Sequence, residues 1–103
     1  MPSGKKSLKA FVQEKQPKTL HDKNVVAVYY LRETLGAPKV SVDHVFTCYK
    51  DMNWREPGNL GNSLALTANR KRYLDTSSLD DIKLTPAGRN HVGHELPSPK
   101  KAP

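Results

Sequence analysis

The sequence predicts a mainly α-helical domain carrying a small β-hairpin. Three features predict it. Apolar residues recur at helical spacing in three segments between residues 19 and 71, the next segment splits into two short β-prone runs around a polar turn, and a Thr-Pro step opens one more short helix. With 103 residues the chain supports one domain and no second core. The expected organisation is a basic segment over 1–18, partly disordered with a short helix over 8–15, then a domain over 19–96, then a disordered Pro/Lys tail over 97–103.

Ser7 is placed to cap the helix over 8–15, whose Leu8, Phe11 and Val12 share one face. Pro17 ends it. Thr19, with Asp22 three places on, marks the start of the first core helix. Val25, Val28, Tyr29 and Leu35 share a face of that helix, and Val26, Tyr30 and Leu31 widen it, so neighbours should touch it from more than one side. Gly36 and Pro38 stop it. Val40-Ser41-Val42 reads either as a short strand or as a run in which Ser41 caps the next helix. The following helix has the most regular stripe in the chain, formed by Val42, Val45, Phe46, Tyr49 and Met52. Trp54 to Gly58 makes a turn, with Trp54 either an apolar plug beneath it or an exposed ring that stacks on a base or anchors a partner.

Asn59 caps a third helix that runs to about Lys71. Leu60, Leu64, Ala65 and Ala68 lie on one side of it, and Asn62, Ser63, Leu66, Asn69 and Arg70 on the other. Tyr73–Thr76 and Leu79–Leu84 read as two short strands joined around Ser77-Ser78. The closing helix, from Pro86 to about His94, takes Thr85 as its cap and Val92 as its main apolar contact.

Charge is unevenly spread. Seventeen Lys and Arg against ten Asp and Glu give a net +7. Residues 1–23 hold six basic and two acidic side chains, residues 58–74 hold Arg70, Lys71 and Arg72 with no acid, and the other two blocks are neutral. A basic cluster on a helix is the electrostatic footprint of a nucleic-acid binder.

Element order and one phrase resemble the winged helix-turn-helix modules common in bacteria. The phrase is Arg72-Tyr73-Leu74, a variable turn, then Ile82-Lys83-Leu84-Thr85-Pro86-Ala87-Gly88-Arg89, similar to a wing whose last strand ends in Leu-Thr-x-x-Gly-[Arg/Lys]. The resemblance spans roughly residues 20–96 and names no family within the fold. It implies a three-helix core plus wing and short C-terminal helix, with 59–71 as the recognition helix and 76–81 as the wing tip. Asn59, Asn62, Ser63 and Asn69 would then face base edges, where an Asn suits adenine. Leu66 would touch a thymine methyl, or pack against the N-terminal segment or a second subunit. Arg70, Lys71 and Arg72 would neutralise phosphates, helped by Lys5, Lys6, Lys9, Lys15 and Lys18 at one end of the chain and Lys100 and Lys101 at the other. The implied function is a double-stranded DNA-binding module, of a transcriptional or nucleoid-associated kind. The alternative is a winged helix used for protein–protein interaction or as a homodimer. Asp75, Asp80 and Asp81 in the wing oppose phosphate, so either the tip points away, or the tails supply charge, or the partner is a protein.

Other chemistries find little support. His44 with Cys48, and His91 with His94, each offer two metal ligands where zinc needs three or four. Cys48 has no cysteine partner, and Gly58-Asn-Leu-Gly61 lacks the lysine of a phosphate loop. The expectation is a protein that is not an enzyme, with no cofactor, metal or small-molecule substrate. No apolar h-region follows the N-terminal lysines, and Val25–Leu31 falls far short of the roughly 20 residues of a membrane span. The expected setting is the reducing cytoplasm, at the nucleoid if bacterial.

Overall fold

The computed structural model describes residues 7–55 and 57–96. Lys5, Lys6 and the tail over 97–103 lie outside the described residues. Within them, helices dominate, and a single two-stranded antiparallel sheet accompanies them.

The central element is α2 (Leu20–Tyr29), started by Thr19, whose Oγ1 accepts from Asp22 N at 3.1 Å. Val25, Val26, Ala27 and Val28 are fully buried on it, one after another. Four consecutive buried residues occupy every side of a helix, so α2 is enclosed as its broad apolar face predicts. After Tyr29 the coil widens over Tyr30–Thr34, and Leu35 N reaches back five residues to the Tyr30 carbonyl at 2.9 Å. A wider coil rotates less per residue, so the apolar face drifts. Leu35, expected on the core side, is therefore 43% exposed. Gly36 then takes a φ of +71° and turns the chain.

The first helix, α1 (Leu8–Lys15), is capped by Ser7 as its sequence predicts. Phe11 lies parallel to the Tyr29 ring at 5.7 Å and beside Tyr30. Leu8, Phe11 and Val12 join the same core as α2. The helical part of the 1–18 segment thus belongs to the domain that the sequence places over 19–96.

In α3 (Val42–Asp51), Ser41 and His44 form a reciprocal cap. Val45 and Tyr49 are fully buried with Cys48 beside them, whereas Phe46 is 38% exposed. The buried arc centres on Val45, and the step of about 100° per residue puts Phe46 at its margin, not within it. There its ring lies under the Lys50 ammonium, 5.4 Å away. Trp54 is half-buried below the next turn, edge-on to Tyr49 at 5.3 Å.

The hairpin is shorter than the sequence suggests. Only β1 (Leu74–Asp75) and β2 (Lys83–Leu84) pair, with Leu74 opposite Leu84 and Asp75 opposite Lys83. The ladder stops because Asp75 Oδ1 takes both donors of Ser77, its N at 3.0 Å and its Oγ at 2.7 Å. The return segment meanwhile turns toward α3. Ile82 N donates to the Val40 carbonyl at 2.7 Å, and Val42 N donates to the Leu79 carbonyl at 3.2 Å. Of the two readings of Val40–Val42 the structure takes the second: Ser41 caps α3 and no strand forms there, although its neighbours bond to the hairpin. Leu74, Ile82 and Leu84 are buried against the helices.

The closing helix α5 (Pro86–Asn90) continues as a wide turn over His91–Glu95. Thr85 caps it by accepting from Gly88 N at 3.0 Å, and its hydroxyl also donates to the Arg72 carbonyl. Thr85 N donates to the Tyr73 carbonyl at 3.1 Å. These bonds press Tyr73 onto Gly88, where a Cβ would overlap the Tyr73 carbonyl. The Leu-Thr-Pro-Ala-Gly phrase therefore encodes a corner in which threonine bonds three ways and glycine makes room. Gly88→Ala should cost about 3 kcal/mol or more, read as a large fall in melting temperature or loss of folded protein. Ala87→Gly, on the exposed neighbour, should cost no more than about 1 kcal/mol.

Candidate nucleic-acid interface

The candidate interface is built on α4 (Leu60–Leu66) and its widened last turn over Thr67–Lys71. Asn59 caps α4 by accepting from Asn62 N at 3.0 Å. Leu60 and Leu64 face the core. Beside them a polar cluster fixes the helix's rotation. Asn24, fully buried on α2, donates from Nδ2 to Ser63 Oγ and to Thr67 Oγ1, each at 3.0 Å. Its Oδ1 accepts from the Tyr49 hydroxyl at 2.6 Å. Thr67 donates in turn to the Ser63 carbonyl at 3.2 Å, and His21 Nδ1 lies 2.8 Å from Thr67 Oγ1. Burial pushes the Tyr49 phenol well above its ordinary range, which keeps it a donor.

This cluster corrects one expected site residue. Ser63, placed by its polarity on the outward face, is only 5% exposed and bonds inward to Asn24. Asn62, Leu66 and Asn69 do face outward, with Leu66 39% exposed. Arg70, Lys71 and Arg72 follow, all exposed, and Arg72 ends the turn in the left-handed region at φ +61°.

Several other cations of the domain are engaged within the fold. Arg32 bonds Asp81, Arg89 bonds Glu33 and Lys15 pairs with Glu14. Lys23 and Lys50 lie over Trp54 and Phe46. Among the described residues, no acid pairs with Arg70, Lys71 or Arg72. Lys9 stands exposed on α1, which packs on Tyr29 and Tyr30, while Thr67 meets His21 at the opposite end of α2. The structure does not bring Lys9 to the triplet.

The hairpin acids are largely engaged within the fold. Asp81 accepts from Arg32 Nη1 at 3.0 Å and has Lys83 Nζ at 3.7 Å. The Arg32 bond, assisted by Lys83, holds its carboxyl below the usual aspartate value. The two bonds from Ser77, with Lys83 nearby, lower Asp75 likewise. Asp80 is the one of the three whose carboxylate has no partner among the described residues. A shallow groove of about 400 Å³ separates the last turn of α4, at Ala68 and Asn69, from the chain over 74–77 and Thr85.

A second cluster ties the C-terminal turn to α2. His91, nearly buried, has Nε2 at 2.8 Å from Asp22 Oδ1 and Nδ1 at 2.7 Å from Glu95 Oε1. The Tyr73 ring stacks on it at 4.3 Å. With both ring nitrogens occupied, His91 cannot serve with His94 as a pair of metal ligands. Among the described residues, no group of three or more His, Cys, Asp or Glu side chains is placed to hold a metal. The Cys48 thiol is pushed up to about 12 by burial and by Asp51, far from a nucleophile's range. No helix among the described residues is long and apolar enough to cross a membrane.

Comparison with family models, with curated proteins and with solved structures gives no match.

Two measurements check this geometry. Asn24→Ala strips partners from Ser63, Thr67 and Tyr49 at once and should cost about 3 kcal/mol in denaturant unfolding. The hairpin carboxylates set an acid limb. Because folding lowers both, their contribution is complete above the unfolded value of about 3.9 and is lost as pH falls through the lower folded values. Melting temperature should therefore drop on acidification below about pH 4. Asp75→Asn combined with Asp81→Asn should flatten that limb.

Proposed function

We propose that this chain is a winged helix that binds double-stranded DNA, with α4 as its recognition helix and β1–β2 as its wing. The observation that carries the proposal is the Arg70-Lys71-Arg72 triplet, left without acids on the one helix whose outward strip is rich in amides. Cations held in internal pairs contribute little to an external anion, whereas exposed, unpaired ones can exchange counterions for phosphates. The wing reading draws support from three features. The segment before α3 bonds to the return strand, the hairpin covers the helical core, and the Thr85–Gly88 corner joins wing to closing helix. The internal bonds of Asp75 and Asp81 reduce the repulsion that the wing's sequence suggests, and leave Asp80 as the residue to point away from phosphate.

Duplex DNA of arbitrary sequence should bind with micromolar or tighter affinity at low salt and weaken steeply as salt rises. Arg70→Glu with Arg72→Glu should reduce affinity by tenfold or more and make the log–log salt slope shallower by about 0.9 for each phosphate no longer neutralised. An unchanged affinity in that variant would sink the assignment of α4. It would favour the second reading, a protein-docking helix, for which the exposed Leu66 speaks.

A further inference from the structure

We infer that the outward strip of α4 selects A·T base pairs in the major groove. The inference rests on the DNA-binding reading above and specifies its target.

Asn62, Leu66 and Asn69 follow one another at spacings of four and three residues, and all three are exposed while Ser63, Leu64 and Thr67 point inward. At a rise of about 1.5 Å per residue the strip is about 10 Å long, or roughly three base-pair steps at about 3.4 Å each. Neither carboxamide is bonded to another described residue, so each keeps its donor and acceptor for a ligand. An Asn carboxamide matches the N6 donor and N7 acceptor of adenine in a two-bond contact, and a branched apolar tip fits the C5-methyl of thymine. The strip therefore alternates an adenine reader, a thymine reader and a second adenine reader.

What the helix omits points the same way. Guanine is read most often by Arg or Lys, and the cytosine amino group by Asp or Glu. Residues 59–69 contain no charged side chain. The cations begin at Arg70, where the helix is ending and phosphates are the natural partners. The bonds from Asn24 to Ser63 and Thr67 hold this strip at one rotation, so its three side chains meet a groove in a fixed order.

The test compares the full chain on an alternating A·T and an alternating G·C duplex of equal length at one salt concentration. The A·T duplex should bind about tenfold tighter or more. Replacing adenine by 7-deazaadenine removes the N7 acceptor, and should weaken the wild-type chain but not Asn62→Ala/Asn69→Ala. Replacing thymine by uracil removes the methyl, and should weaken the wild-type chain but not Leu66→Ala. Both altered duplexes probe the wild-type protein itself, so the outcome does not depend on how a variant folds. Equal affinity for the two parent duplexes, or an A·T preference untouched by both base changes (the mark of minor-groove reading), overturns the inference and leaves DNA binding standing. Binding to neither duplex overturns both.

Discussion

A single buried amide constrains how this domain is assembled. Asn24 sits where three helices meet, with none of its side chain in water, and burying such a group is tolerable only if its donors and acceptor are all satisfied. Ser63 and Thr67 of α4 and its wide turn take the two donors, and Tyr49 of α3 supplies the acceptor's hydrogen. Apolar packing alone would allow α4 to roll a few tens of degrees about its axis at small cost, because Leu60 and Leu64 present similar surfaces at neighbouring angles. Hydrogen bonds of about 3 Å do not permit that roll. The cluster thus converts a hydrophobic contact into a defined orientation, and the outward strip of α4 inherits its direction from it.

The hairpin is held by an analogous economy of few but interlocking contacts. Two paired residues per strand are too short a ladder to stand alone. Its root is clamped where Thr85 bonds to Arg72 and Tyr73 and where Gly88 admits the Tyr73 backbone. Its return segment is bonded across to Val40 and Val42, and Arg32 reaches it from the end of α2 through Asp81. Asp75, Asp81 and Arg32 are consequently spent on internal geometry. The triplet after α4 has no acid partner among the described residues, and three adjacent exposed cations give the molecule a local charge that its net value does not reveal.

Much of this was legible in the chain. The caps Ser7, Thr19, Ser41, Asn59 and Thr85 all bond as their positions suggest, because capping depends on residues three apart and needs no knowledge of the tertiary fold. The enclosed character of α2 was legible for the same reason. Ser63 was not, since a helical wheel sorts residues by polarity and its partner lies 39 positions away. An Asn at the head of the apolar run of α2, with Ser63 and Thr67 four apart on another helix, was the available signal. The drift of Leu35 came from a coil that widens after Tyr29, a backbone change without a sequence mark. The short ladder came from Ser77 giving its donors to Asp75, a local competition that strand propensity ignores.

Because the rotation of α4 is set from inside, its solvent side carries no responsibility for the fold. Asn62, Leu66 and Asn69 form a face that lineage or laboratory can rewrite while Asn24, Ser63 and Thr67 keep the helix where it stands. The domain is in this sense a chassis with an interchangeable outer edge, and change along that edge need leave no trace in its core.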